Sequence, residues 1–166
     1  MKVLVTGVAG QLGHDVMNEL HKRGYEGVGS DIAPQYSGAD DGTAVTKMDY
    51  VQMDITNSEE VTETIKKVNP DVVVHCAAWT AVDLAEEKEN KEKVMAINVG
   101  GTENIARVCK ELDCKMVYIS TDYVFDGTVH TPYTEDCNPC PDSVYGTTKL
   151  EGEKEVMNHC EQAVVI

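Results

Sequence analysis

The sequence predicts a doubly wound α/β fold: a parallel sheet of six strands in the order 3-2-1-4-5-6. Three observations predict it. Short β-rich runs alternate with segments of helical apolar spacing along the whole chain. The connections are long enough for crossovers between parallel neighbours. The fourth run, Asp71-Val-Val-Val-His75, is apolar without interruption, as a parallel strand covered on both faces requires.

Each element follows in order. Lys2–Thr6 is a strand ended by Gly7. Leu12, Val16, Met17 and Leu20 recur at helical spacing between Gln11 and Arg23, and Gly24 stops that helix. Tyr25–Ser30 forms the second strand and closes on Asp31. Residues 33–49 carry Pro34, Gly38 and Gly42 among polar residues and read as a loop or flexible excursion. Val51–Met53 is the third strand, after which Ser58 caps a helix carrying Val61, Ile65 and Val68. A long helix runs from about Lys91 to Leu112 on Val94, Ile97, Ile105 and Val108. Lys115–Ile119 is the fifth strand, Ser143–His159 a helix, and Ala163–Ile166 the sixth strand. These elements make one domain over residues 1–166. Its apolar last residues predict a domain cut from a longer protein.

Bulk properties narrow the function. With 42% hydrophobic and 26% charged residues, 166 residues bury a core without disulfides or metals. The net charge of -15 repels nucleic acid and anionic membranes, so neither is expected as a partner. No apolar run reaches the length of a membrane span and no signal-peptide pattern opens the chain, which predicts a cytoplasmic protein. The six cysteines read as reduced thiols, and Cys137-Asn-Pro-Cys140 as a loop, since no second pair completes a metal site. His14, His21, His130 and His159 show no metal-ligand spacing, so no residue is assigned to a metal.

A dinucleotide site follows from Gly7-Val-Ala-Gly10-Gln11-Leu12-Gly13, between the first strand and the first helix. Gly7 allows the tight turn, Gly10 lets backbone N–H groups approach a pyrophosphate, and Gly13 permits close helix–sheet packing. Asp31 ends the second strand, placed to accept hydrogen bonds from an adenosine ribose diol. A carboxylate there opposes a 2′-phosphate, favouring NAD(H) over NADP(H). Asp54 and Ile55 follow the third strand, where Asp54 meets the adenine edge. Cys76, Ala77 and Ala78 follow the fourth, where small side chains let backbone lie against the cofactor. Trp79 either stacks near it or packs as a loop aromatic.

Tyr145 and Lys149 stand four apart on one helix face. That pairing suits general acid catalysis: the ammonium lowers the phenol's pKa, and the phenol protonates a developing alkoxide. Lys149 can also hold ribose hydroxyls. Ser120-Thr121 ends the neighbouring strand, and one of the two hydroxyls faces the reacting carbonyl.

These residues resemble the extended short-chain dehydrogenase/reductase family, whose nucleotide-binding part is a Rossmann fold. The more specific stretches are Gly10–Gly13, Thr80–Asp83, Ser120–Gly127 and Tyr145–Glu153. Within the family they look like the dTDP-4-dehydrorhamnose reductases. The resemblance implies a catalytic set of Thr121, Tyr145 and Lys149, with NAD(H) or NADP(H) as cofactor. It implies a dTDP-sugar substrate whose 4-keto group is reduced to give dTDP-L-rhamnose. Val82 and Tyr123, with Thr121 and Tyr145, match positions bordering the sugar; Asn98 matches the helix asparagine that braces the site. His75 stands where the family often has asparagine and takes no role. A homodimer is implied for the full-length protein.

The family's C-terminal substrate lobe is absent here, so turnover by these residues alone is expected to be slight or absent. Two alternatives keep the fold. One is a non-catalytic regulatory subunit like the beta subunit of methionine adenosyltransferase. The other is a nucleotide-sugar epimerase or dehydratase, disfavoured because Asp122-Tyr123, not an Asp-Glu pair, follows Thr121.

Overall fold

A computed structural model describes residues 1–166. Its six parallel strands are β1 (Lys2–Thr6), β2 (Glu26–Asp31), β3 (Asp49–Gln52), β4 (Val72–His75), β5 (Lys115–Tyr118) and β6 (Ala163–Val165). They form one sheet in the order β3-β2-β1-β4-β5-β6, as the sequence predicts. In register, Val3 lies opposite both Gly27 and Val72, and Thr6 lies opposite His75.

The helices are α1 (Gln11–Lys22), α2 (Ser58–Val68), α3 (Val82–Ala85), α4 (Lys91–Met95), α5 (Thr102–Glu111) and α6 (Val144–His159). The strand period of two divides the core. Val3 and Val5 of β1 point to one face and pack with Val8, Met17 of α1 and Val45. Leu4, between them, points to the other face and packs with Ile65 of α2, Ile105 of α5 and Val156 of α6. The crossovers β3-to-β4, β4-to-β5 and β5-to-β6 therefore share one layer, and α1 occupies the opposite one.

Three local expectations are corrected. The long helix is not continuous α-helix: α4 passes into a π-helical segment at Ala96–Gly101 before α5 begins. A Cβ on Gly101 would come within 2.7 Å of the Ile55 side chain, so the wide turn lies where helix backbone presses on the end of β3. Asn57, not Ser58, caps α2, its side chain accepting from the N–H groups of Glu59 and Glu60 at 3.2 Å. The segment 33–49 is tied to α1: His14 bonds Tyr36 Oη at 2.8 Å and Asp41 at 3.1 Å, while Asn18 receives the Val45 N–H at 2.9 Å. A 3₁₀ turn at Ala44–Lys47 completes it. Between α3 and α4 the chain turns, and Glu86 there receives the N–H of Val144 at the start of α6.

Candidate active site

Doubly wound sheets bind ligands beyond the carboxyl ends of their strands, where the crossover direction reverses. Here that point lies between β1 and β4 and opens into a cleft of ≈ 500 Å³. The glycine turn forms one wall. Gly7 has φ +71, and a Cβ on it would stand 2.7 Å from the Ala77 N and 2.8 Å from its Cα, so backbone and not side chain joins the two strand ends. A Cβ on Gly13 would strike the Gly7 carbonyl oxygen, which holds α1 against the turn.

Gly10 caps α1 without a side-chain hydrogen bond, so the N–H groups of Gln11, Leu12 and Gly13 open the helix with no side chain capping them. That is an anion cradle, with the helix dipole behind it. The Ser30 hydroxyl borders the same cleft, buried and without a hydrogen-bond partner. An orphaned hydroxyl beside unpaired backbone donors fits a ligand rich in oxygen atoms. Asp31 accepts from Ala9 N–H at 3.0 Å and from Ile32 N–H at 2.8 Å, so its carboxylate is fixed at the rim. Asp54 is fixed by the Thr56 N–H at 2.9 Å and hydroxyl at 2.8 Å, and Ile55 lies beside it.

The opposite wall carries Tyr145 and Lys149, at 9% and 3% exposure, from the first turns of α6. Ser143 caps that helix, accepting from Gly146 N–H at 2.9 Å. Burial pushes the Tyr145 phenol above its usual range, and a hydrogen bond with the Thr121 hydroxyl acts against this. Burial likewise brings the Lys149 ammonium down to about 8. The expected coupling, in which Lys149 lowers the phenol, is corrected. The two share a helix face, but Lys149 Nζ donates to Ile119 O at 2.6 Å and lies 4.1 Å from the centre of the Tyr118 ring. Among its neighbours, Thr121 lowers the phenol while Asp122 and Tyr123 raise it.

The two hydroxyls at the end of β5 separate. Ser120 lines the cleft and donates to Glu153, whereas Thr121 sits outside the lining and caps a 3₁₀ turn at Asp122–Val124. Tyr123 in that turn is exposed and meets Tyr145 edge-on, centroids 5.6 Å apart. Val82 opens α3 and packs into the small cluster that holds Tyr145. Ala77 and Ala78 line the cleft, but Trp79 and Asn98 do not. The Trp79 indole donates to Ala81 O at 3.0 Å, and its backbone N–H goes to Asn98 Oδ1 at 2.7 Å.

Asn98 lies in the π-helical segment and is 1% exposed. Its amide donates to Trp79 O at 3.2 Å and to Thr148 Oγ1 at 3.0 Å, and Thr148 donates to the Tyr145 carbonyl at 2.9 Å. Thr102 Oγ1 donates to Asn98 O at 2.7 Å, so it must accept from His75 Nε2 at 3.1 Å. His75 Nδ1 then accepts from the Thr6 hydroxyl at 2.7 Å, and that oxygen accepts from Ala77 N–H at 3.2 Å. His75, to which the sequence assigned nothing, thus joins the glycine-turn strand to the segment bracing α6. Burial holds its pKa near 3, and the ring is neutral.

Sequence reasoning also passed over Thr6, Ser30 and Thr80 in the lining. Thr6 had a legible signal: a hydroxyl closing a strand after the apolar run Val3-Leu4-Val5. The His159 ring comes together with Glu103 and Glu155, ligand atoms within 4.8 Å of one another. Arg107 already holds Glu103 at 2.5 Å. No helix is long and apolar enough to cross a membrane.

Comparison with known proteins places this geometry. The family model of the RmlD substrate binding domain matches residues 1–166. The chain is 35% identical over 165 residues to methionine adenosyltransferase 2 subunit beta of Rattus norvegicus, covering 99% of the chain and 45% of that protein. It is 37% identical over 165 residues to dTDP-4-dehydrorhamnose reductase of Shigella flexneri, covering 99% and 50%. Among solved structures, dTDP-4-dehydrorhamnose reductase of Bacillus anthracis in complex with NADP matches with TM-score 0.84 and 32% identity, over 99% of this chain and 51% of that one. The chain spans about half the length of the curated relatives it matches.

Proposed function

The chain belongs to the RmlD substrate binding domain family, and from that premise we propose that it is the nucleotide-binding half of an NAD(P)H-dependent reductase of a dTDP-sugar. One observation carries the reading: the glycine turn and the Tyr145–Lys149 helix are two walls of a single cleft. The reaction is reduction of the 4-keto group of a dTDP-6-deoxy-hexulose to dTDP-L-rhamnose, in the cytoplasm.

The residues divide the work. Gly7, Gly10, Gln11, Leu12 and Gly13 hold the pyrophosphate, and Asp31 reads the adenosine ribose. Asp54, Ile55, Ala77 and Ala78 line the path to the reacting centre, with Asn98 bracing Trp79 behind it. A bound nicotinamide supplies the hydride. Tyr145, kept protonated by its burial, gives a proton to the nascent alkoxide oxygen. Thr121 orients that phenol, and Lys149 holds the nicotinamide ribose hydroxyls. Val82 and Tyr123 border the sugar. Asp31 favours NADH, although the relative from Bacillus anthracis is described with NADP, and both cofactors belong in the assay.

The test is NADH or NADPH oxidation with dTDP-6-deoxy-L-lyxo-4-hexulose, comparing the full-length protein with residues 1–166. Turnover is expected from the full-length protein, as a homodimer, and little or none from these residues alone. Steady turnover by the shorter chain removes the need for a second lobe. A second reading, an accessory subunit, is favoured by the likeness to methionine adenosyltransferase 2 subunit beta. Absence of turnover in the full-length protein, with capture of a methionine adenosyltransferase, decides for it.

A further inference from the structure

A cluster that the cleft does not use lies between α5 and α6. Glu155 and His159 stand one turn apart at the end of α6, and Glu103 reaches them from the first turn of α5. His159 Nε2 lies 3.3 Å from Glu155 Oε2 and 3.9 Å from Glu103 Oε1, and the three ligand atoms fall within 4.8 Å of one another. The side chains of His159, Glu155 and Glu103 are 25%, 26% and 33% exposed, so a hydrated ion reaches them from solvent. Two ligands of a tetrahedral zinc ion, with bonds of about 2.1 Å, stand about 3.4 Å apart. The two contacts of His159 bracket that separation, and flexible glutamate side chains supply the remaining adjustment. Two carboxylates this close repel one another, and a cation between them removes that cost. His159 is also the last residue of α6, where the helix carbonyls add partial negative charge.

We propose that Glu103, Glu155 and His159 form a zinc site that ties α5 to α6. One imidazole nitrogen and two carboxylate oxygens suit a borderline divalent ion, and the nitrogen disfavours magnesium and calcium. Three protein ligands leave the fourth position to water. Arg107 is the competitor. Its Nε and Nη2 donate to Glu103 Oε1 at 2.8 and 2.5 Å, from a side chain that is 57% exposed. Zinc therefore displaces the guanidinium from that oxygen, and the freed arginine is solvated at little cost. His159 lies about 21 Å along α6 from Tyr145, so the site stands or falls independently of the reductase reading.

The test is calorimetry with zinc chloride alone, titrated into the folded protein. Cys137→Ser and Cys140→Ser are both present throughout, which removes the accessible thiols as competing ligands. One zinc ion per chain is expected, and magnesium chloride is expected to give no binding. His159→Gln, Glu155→Gln and Glu103→Gln each weaken zinc by about tenfold or more, since even residues that only support a ligand are worth that much. Arg107→Gln is expected to tighten zinc, because the competing guanidinium is gone, and no loss of folding can imitate a gain. Absence of zinc binding overturns the proposal, as does binding that survives His159→Gln and Glu155→Gln unchanged. So does weaker zinc binding in Arg107→Gln, or magnesium bound as tightly as zinc.

Discussion

The Lys149 ammonium and the Ile119 carbonyl oxygen stand 2.6 Å apart, and that contact, not one to Tyr145, fixes the lysine in the cleft. Lys149 thus holds its charge beside β5, and the phenol keeps its proton through burial. Since the Lys149 pKa lies at about 8, the ammonium is present below that pH and lost above it. Turnover by the full-length protein is expected to fall as pH rises through about 8. A flat profile from neutral pH to 9.5 (roughly a unit and a half beyond the lysine) leaves the ammonium without a role.

Tyr145→Phe removes the donor and preserves the ring that packs with Val82 and Ala85. In the full-length protein kcat is expected to drop by about 10²–10⁴-fold. Dinucleotide affinity, measured by calorimetry, should change little. An equal loss in both means the hydroxyl organises the cleft and does not act in the chemical step.

Asp31→Ala opens the rim to a 2′-phosphate and releases the Ala9 and Ile32 N–H groups. The ratio of the NADPH to the NADH dissociation constant is expected to fall by about tenfold, roughly 1.4 kcal/mol of discrimination. Calorimetry of both cofactors with the protein and the variant measures it. An unchanged ratio assigns the carboxylate to the turn alone.

Gly13→Ala places a methyl group on the Gly7 carbonyl, with Gly7 C and Val8 Cα both at 2.8 Å. Neither neighbour is a flexible side chain, so α1 must move away from the turn. A stability loss of about 1–3 kcal/mol in denaturant unfolding is expected, together with weakened dinucleotide binding. Retention of both is incompatible with this packing.

His75 stays neutral in the fold down to about pH 3, whereas an unfolded histidine protonates near 6.5. Between those values the unfolded chain binds more protons. The histidine's contribution is therefore full above pH 6.5 and lost as pH falls toward 3, at about 1.4 kcal/mol per pH unit. Denaturant unfolding at pH 7 and 5 should show a shallower pH dependence for His75→Gln than for the protein. Identical slopes would place the ring in contact with water.

The strand order, the glycine turn and the cleft's two walls were legible in the sequence. Gly7, Gly13, Asp31, Tyr145 and Lys149 sit at fixed steps from strand ends, and strand ends follow from the period-two and period-3.6 patterns. Once six parallel strands order themselves around β1 and β4, those positions converge without further information.

What tertiary structure alone decided are contacts between residues far apart in the chain. The sequence spaces Tyr145 and Lys149 for each other, yet Lys149 bonds a strand carbonyl because α6 lies across the end of β5. Thr6, His75, Thr102 and Asn98 carry no joint pattern, and only the pairing of β1 with β4 beneath the π-helical turn links them by hydrogen bonds. Cys109 and Cys114 look like separate core residues until the Cys114 N–H closes the end of α5 on the Cys109 carbonyl at 2.8 Å. Periodicity records which face a residue takes. Which distant group meets it there depends on how the elements pack, and in this protein packing sets the protonation of Tyr145, Lys149 and His75.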